Sequence, residues 1–226
     1  MRTVMILSAA MAAQLPGHAQ FSGYQGNVGG TIGMGIPKGE FADTWGQNMF
    51  TWGGQITLPA RILPLQWGFA FDYGVMGNRN FSVPVSSPEL TATEGDLAVR
   101  AKVLSYHPLL RFSPLKGKVR PYVDGMAGFR QFTTKSTVTV DGLQEPVLRE
   151  RNANDLALST GWAAGLMIRL GSVGYVEGRV ERFYSGKASY VDPSSISVNG
   201  AGHLAFNTLE SNTDGINVLV GLGLRF

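Results

Sequence analysis

The chain has 226 residues, a formal net charge of +3, 30 glycines and no cysteine. Without cysteine there is neither a disulfide framework nor a lipid-attachment site behind a leader. Its 19 basic and 16 acidic residues are scattered rather than clustered, which argues against a nucleic-acid partner.

Residues 1–19 read as a secretory leader. Arg2 supplies the charged start, Val4 to Ala13 the apolar run, Pro16 a helix breaker, and Gly17-His18-Ala19 a small-x-small cleavage site before Gln20. The apolar run falls short of the roughly 20 residues a spanning helix needs, and no later run reaches that length. Residues 20–226 are therefore expected to form one domain.

That domain alternates with period 2 in eight segments, a period no helix has. The first sets Val28, Gly30, Ile32, Met34 and Ile36 against Gly29, Thr31, Gly33 and Gly35. The second sets Phe50, Trp52, Ile56 and Leu58 against Thr51, Gly53, Gln55 and Thr57. The third sets Leu65, Trp67, Phe69, Phe71, Tyr73 and Val75 against Gln66, Gly68, Ala70, Asp72 and Gly74. In the fourth, Leu97, Val99, Ala101 and Val103 oppose Arg100 and Lys102. In the fifth, Val119, Pro121, Val123, Ala127 and Phe129 oppose Arg120, Tyr122, Asp124 and Arg130. The sixth opposes Leu156, Leu158, Trp162, Leu166, Ile168 and Leu170 to Ser159, Gly161, Gly165 and Arg169. The seventh opposes Val176, Val180 and Tyr184 to Glu177, Arg179 and Glu181, with Arg182 on the apolar parity. The last opposes Ile216, Val218, Val220, Leu222, Leu224 and Phe226 to Asn217, Gly221, Gly223 and Arg225.

Shorter connections at 59–64, 107–118 and 171–173 alternate with longer ones at 37–48, 76–96, 133–153 and 185–212. Short periplasmic turns and long outer loops are the rule for transmembrane barrels. An eight-stranded antiparallel up-and-down transmembrane β-barrel is the expected fold. A soluble barrel would alternate too, but eight strands enclose only enough space for side chains, and eight rows of Leu, Trp and Phe would not fit inside. The apolar parity is therefore expected to face lipid. The other parity places Asp72, Arg100, Lys102, Arg120, Asp124, Arg130, Arg169, Glu177, Arg179, Glu181 and Arg225 in the interior, paired across strands as a polar plug. Aromatic residues suggest two girdles, an outer one with Trp45, Phe50, Trp52, Tyr73 and Tyr184 and an inner one with Trp67, Tyr106, Phe112, Tyr175 and Phe226.

Catalytic chemistry finds little support. Behind the leader only His107 and His203 remain, one in a periplasmic turn and one in the last outer loop, too far apart to share a site. The carboxylates Glu89, Glu94, Asp96, Asp141, Glu145, Glu150 and Asp155 read as solvated loop residues and match no calcium loop. A non-enzymatic chain without a cofactor or metal is expected.

Three stretches carry a family resemblance: Gly33-Met34-Gly35-Ile36-Pro37, Arg120-Pro121-Tyr122-Val123-Asp124-Gly125-Met126-Ala127-Gly128, and Leu222-Gly223-Leu224-Arg225-Phe226. Across residues 20–226 the chain resembles the small outer-membrane β-barrel proteins of the OmpA/OmpX-like superfamily. The resemblance implies an outer-membrane location in a Gram-negative envelope. It implies that Ile216, Val218, Val220, Leu222, Leu224 and Phe226 are the signal read by the barrel-assembly machinery, with periplasmic chaperones as further partners. It supplies no activity. A monomer set among outer-membrane lipid and lipopolysaccharide, with a structural or surface-interaction role, is expected. A narrow porin-like channel is the alternative, and a loop-sited enzyme the third reading.

Overall fold

The computed structural model describes residues 25–60, 64–87, 90–140, 148–191, 195, 197–198, 204–205 and 207–226. The leader expected at 1–19 and His203 lie outside the described residues. The elements are β1 (Asn27–Pro37), α1 (Glu40–Trp45), β2 (Met49–Pro59), β3 (Leu65–Ser87), β4 (Leu90–Phe112), β5 (Val119–Val140), β6 (Leu148–Leu170) and β7 (Gly174–Ser185). They continue with β8 (Lys187–Val191), β9 (Ser197–Val198), β10 (Leu204–Ala205), β11 (Thr208–Asn212) and β12 (Gly215–Arg225).

Strands β1 to β7 pair in chain order, and β12 fits between β7 and β1 to close an eight-stranded antiparallel barrel, the architecture the alternation predicts. Both ends of the closing pair meet at the same rim, where Asn27 stands opposite Arg225. The turns at 113–118 and 171–173 share that rim, which in a transmembrane barrel is the periplasmic one by the short-turn rule. At the other rim α1 bridges β1 and β2, and the hairpin β8–β11 stands between β7 and β12. Glycines in the left-handed region bracket α1, Gly39 at φ 56° and Gly46 at φ 65°, and let the chain enter and leave this short helix.

The apolar parity faces out. Leu158 is 78 % exposed and Leu222 66 %, an apolar surface that lipid, not water, would cover. An aromatic row crosses four strands of this surface: Trp52 stacks on Tyr73 at 5.3 Å, Phe71 meets Tyr106 at 5.4 Å, and Tyr106 meets Phe129 at 6.0 Å. This row replaces part of the expected girdles. Tyr106 belongs to it rather than to an inner belt, Tyr175 is inside the barrel, and Trp45 packs half-buried with α1.

Strands β3 to β6 are 22 or 23 residues long, about twice the 9–11 that cross a bilayer. Most of the connections expected at 76–96 and 133–153 are therefore strand. Their pattern explains why they read as loops. In β4, Leu104, Tyr106, Leu110 and Phe112 share the outward parity, with Ser105, His107, Leu109 and Arg111 inside. Towards the outer end the same register turns Arg100 and Lys102 outward and buries Leu97, Val99, Ala101 and Val103. The strand has not slipped; its surroundings have changed. Within lipid the outer wall must be apolar, and above it the wall meets water and the apolar residues turn inward. The inversion falls between Val103 and Leu104. Two bulges accompany it, an extra residue at Met76 in β3 and one at Asn152 in β6.

Candidate functional site

The barrel interior is the candidate site, and it is built in layers. Small residues on the inward parity make room for it. A Cβ on Gly165 would lie 2.4 Å from the Tyr122 ring, and one on Gly223 2.3 Å from that of Tyr175, so both tyrosines lie flat against a neighbouring strand. Nearest the periplasmic rim, Asn27 Nδ2 donates to Thr57 Oγ1 at 3.0 Å and to Gln66 Oε1 at 3.1 Å.

The next layer holds the charges. Arg111 of β4 donates from Nε and Nη2 to the two carboxylate oxygens of Asp124 on β5, at 2.7 and 2.9 Å. Its Nη2 also donates to Gln55 Oε1 at 2.7 Å, and its guanidinium lies 3.7 Å from the centre of the Tyr122 ring. Gln55 in turn donates to Glu177, and Tyr122 OH to Glu177 Oε2 at 3.2 Å. Arg179 of β7 donates to Asp124 from its other side and to Glu181 Oε1 at 2.7 Å. Asn217 Nδ2 closes the chain on Glu181 Oε2 at 2.9 Å. Two guanidiniums and three carboxylates share this layer, and the fork geometry of arginine suits it to bridge carboxylates on different strands.

Above this plane the His107 ring stacks on Phe183 at 4.9 Å, with Arg130 over Phe132 and the same Phe183 ring. Arg130 Nη1 donates to the Thr213 carbonyl at 2.6 Å. The outer mouth is closed by an apolar cap. Phe41 of α1, Tyr190 of β8 and Phe132 of β5 meet edge-on or tilted at 5.5–6.1 Å, over Met49, Met76, Ala101, Val103 and Ala157. Tyr190 OH shares a 2.8 Å hydrogen bond with Ser211 Oγ of β11. Asp155 of β6 accepts the N–H of Ser189 on the same hairpin at 2.7 Å and the Leu156 N–H at 2.8 Å, which hold its carboxyl below the usual carboxylate range. It is a docking residue for β8, not a free loop carboxylate.

The structure places Asp72, Arg120, Asp124, Arg130, Glu177, Arg179, Glu181 and Arg225 inside. It does not place the other three there. Arg100 and Lys102 lie on the outer wall, because β4 carries its charges outward once it leaves the apolar band. Arg169 shares the inward parity but sits at the open periplasmic rim, exposed, where no layer covers it. His107 is a fully buried interior residue rather than part of a turn. Arg111, at the centre of the charge layer, was not expected there. The signal that finds it is the even-numbered apolar row Leu104, Tyr106, Leu110 and Phe112, which puts Arg111 on the inward parity. Of the terminal pattern, Val218, Val220, Leu222, Leu224 and Phe226 face outward and exposed, and Ile216 is half-buried. Among the described residues no group of three or more metal-ligating side chains converges.

No protein-family profile matches the sequence, and no curated protein matches it either. Solved structures do. A major outer membrane protein of Thermus thermophilus superposes with a TM-score of 0.50 at 12 % identity, covering 89 % of this chain and 98 % of that one. Ail, the attachment invasion locus protein of Yersinia pestis, in complex with the heparin analogue sucrose octasulfate, gives 0.46 at 13 % identity over 89 % and 97 %. OprG of Pseudomonas aeruginosa gives 0.41 at 16 % identity over 89 % and 95 %. With its closed eight-stranded antiparallel sheet and apolar exterior, the chain has the fold of a small outer-membrane β-barrel.

Proposed function

We propose that the chain is a sealed, non-enzymatic barrel of the outer membrane that serves envelope structure and presents a surface to the outside. The observation that carries this reading is the filling of its interior. Asp124, Arg111, His107, Phe183 and Phe41, which follow one another from the charge layer to the cap, are each 0 % accessible to a water-sized sphere. A pore lining is wetted; these side chains are buried instead. Planar-bilayer recordings on the purified protein are expected to show no conductance, and steady ohmic steps would favour a narrow porin instead.

In this reading residues 1–19 are a leader removed on export, which the mass of the membrane-inserted protein tests directly. The outward row from Ile216 to Phe226 is the signal for the barrel-assembly machinery, with periplasmic chaperones carrying the chain to it. A Phe226→Ala variant is expected to accumulate less folded barrel in the membrane while refolding normally from urea into detergent. The protein acts as a monomer among outer-membrane lipid and lipopolysaccharide. The length of β3 to β6 supports the surface role: about a dozen residues beyond the bilayer, at roughly 3.3 Å each, carry the wall some 30 Å outwards after strand tilt.

A further inference from the structure

Above the apolar band, the outer wall carries a row of like charges that the fold does not neutralise. Arg100 of β4 stands directly opposite Lys135 of β5 in the strand register, and Lys135 is itself registered with Arg151 of β6. The Asn152 bulge sets this last pairing. Arg100 and Lys135 are exposed, and Lys102, one outward position nearer the band, is half-buried with its Nζ 5.5 Å over the Tyr73 ring. Like charges directly opposite on adjacent strands destabilise a sheet. Among the residues whose side chains the structure describes, no carboxylate forms an ion pair with Arg100, Lys102 or Lys135. The next outward-parity carboxylate on β4, Asp96, is four residues further from the band, about 13 Å along the strand. Below the row come, in order, the aromatic residues Tyr73, Tyr106 and Phe129 and then the exposed Leu110 and Val123.

We propose that Arg100, Lys102 and Lys135 dock the phosphorylated sugar head of an outer-leaflet glycolipid, whose acyl chains run down the β3–β5 face. This rests on the outer-membrane reading and gives its lipopolysaccharide partner a place on the wall. The match is one of chemistry at two heights. Several cations at one level suit a head with more than one phosphate, where a phospholipid of the same charge sign offers one. The aromatic row suits the boundary between head and acyl chain, and the apolar wall beneath suits the chains themselves. The row lies at the rim opposite the periplasmic turns, so the leaflet is the outer one.

The test uses the full mature barrel refolded in a zwitterionic detergent. Retention of bisphosphorylated lipid A, of dephosphorylated lipid A and of phosphatidylglycerol is read by native mass spectrometry. Wild type is expected to retain the bisphosphorylated form about tenfold or more over the dephosphorylated one, the worth of one charge-assisted hydrogen bond. The double variant Arg100→Gln/Lys135→Gln is expected to lose that preference, and Arg169→Gln, which removes a cation at the opposite rim, to keep it. Equal retention of the two lipid A forms, or an unchanged preference in the double variant, overturns the proposal. Phosphatidylglycerol bound as tightly as bisphosphorylated lipid A overturns the assignment to a glycolipid. Each variant is first checked for the faster gel mobility of an unboiled folded barrel. If wild type itself lacks that mobility, the outer-membrane reading fails, not the docking site.

Discussion

Replacing Arg111 by methionine keeps most of its volume and removes its charge. In the wild type the central plane holds two cations, Arg111 and Arg179, and three carboxylates, Asp124, Glu177 and Glu181, all sealed from solvent or nearly so. Without Arg111 one guanidinium faces three carboxylates, Asp124 loses two of its hydrogen bonds, Gln55 loses one, and Tyr122 loses the nearer of its two cations. Breaking a buried pair from one side costs about 3–5 kcal/mol, and at 0 % exposure no solvent screening reduces it. Arg100→Met on the outer wall should stay within about 0.5 kcal/mol. Equilibrium urea unfolding in phospholipid vesicles, followed by tryptophan fluorescence, measures both. The double variant Arg111→Met/Asp124→Leu removes both partners and should recover much of the loss, since apolar groups of similar volume often substitute for a buried pair. Equal effects of Arg111→Met and Arg100→Met, or strictly additive losses in the double variant, would refute the layer as described.

Three further outcomes follow from other parts of the barrel. Val220→Arg, on the outward face of β12, is expected to cost roughly 2–4 kcal/mol in vesicles, against a milder loss for Asn217→Ala on the inner face; the same urea titration separates them. Gly165→Ala drives a methyl into the Tyr122 ring, which Arg111 holds from its other side, and should cost about 1–3 kcal/mol. Tyr190→Ala removes the centre of the outer cap, and faster protease cleavage at the outer rim is expected while the barrel keeps its folded gel mobility.

How much of this was legible depends on which solvent surrounds each stretch. In β12 and the first half of β3 every outward position lies in the apolar band, and their alternation alone fixes strand, face and register. Strand β4 runs out of the apolar band, and there the rule for facing reverses while the register does not. Val103 and Leu104, adjacent and both apolar, mark the change, but they belong to opposite faces, and a single parity fitted to Leu97–Val103 points Arg100 and Lys102 the wrong way. Pro108 hid the remainder. A proline rarely sits within a sheet, so the stretch around it reads as a turn; in the structure β4 continues to pair with β3 through Pro108, and its pairing with β5 lapses at His107 and Pro108. The three-dimensional layer of Arg111, Asp124 and Arg179 could not be read from one sequence, because it joins strands whose heights depend on how the barrel is staggered. Individual inward glycines were visible, but not which of them receive a tyrosine ring.

The cap at the outer mouth has a consequence for the order in which the molecule is finished. Phe41 lies just after the first strand and Tyr190 in the hairpin that separates β7 from β12, so these two parts of the lid come from distant positions in the chain. Contacts between such distant positions form late, once loop-closure entropy has been met by other pairings. While β12 is still seeking its place between β7 and β1, the lid has one half only, and the cylinder stays open at the top. Water displaced as the arginine layer packs therefore has an exit outward, and the vessel is stoppered last.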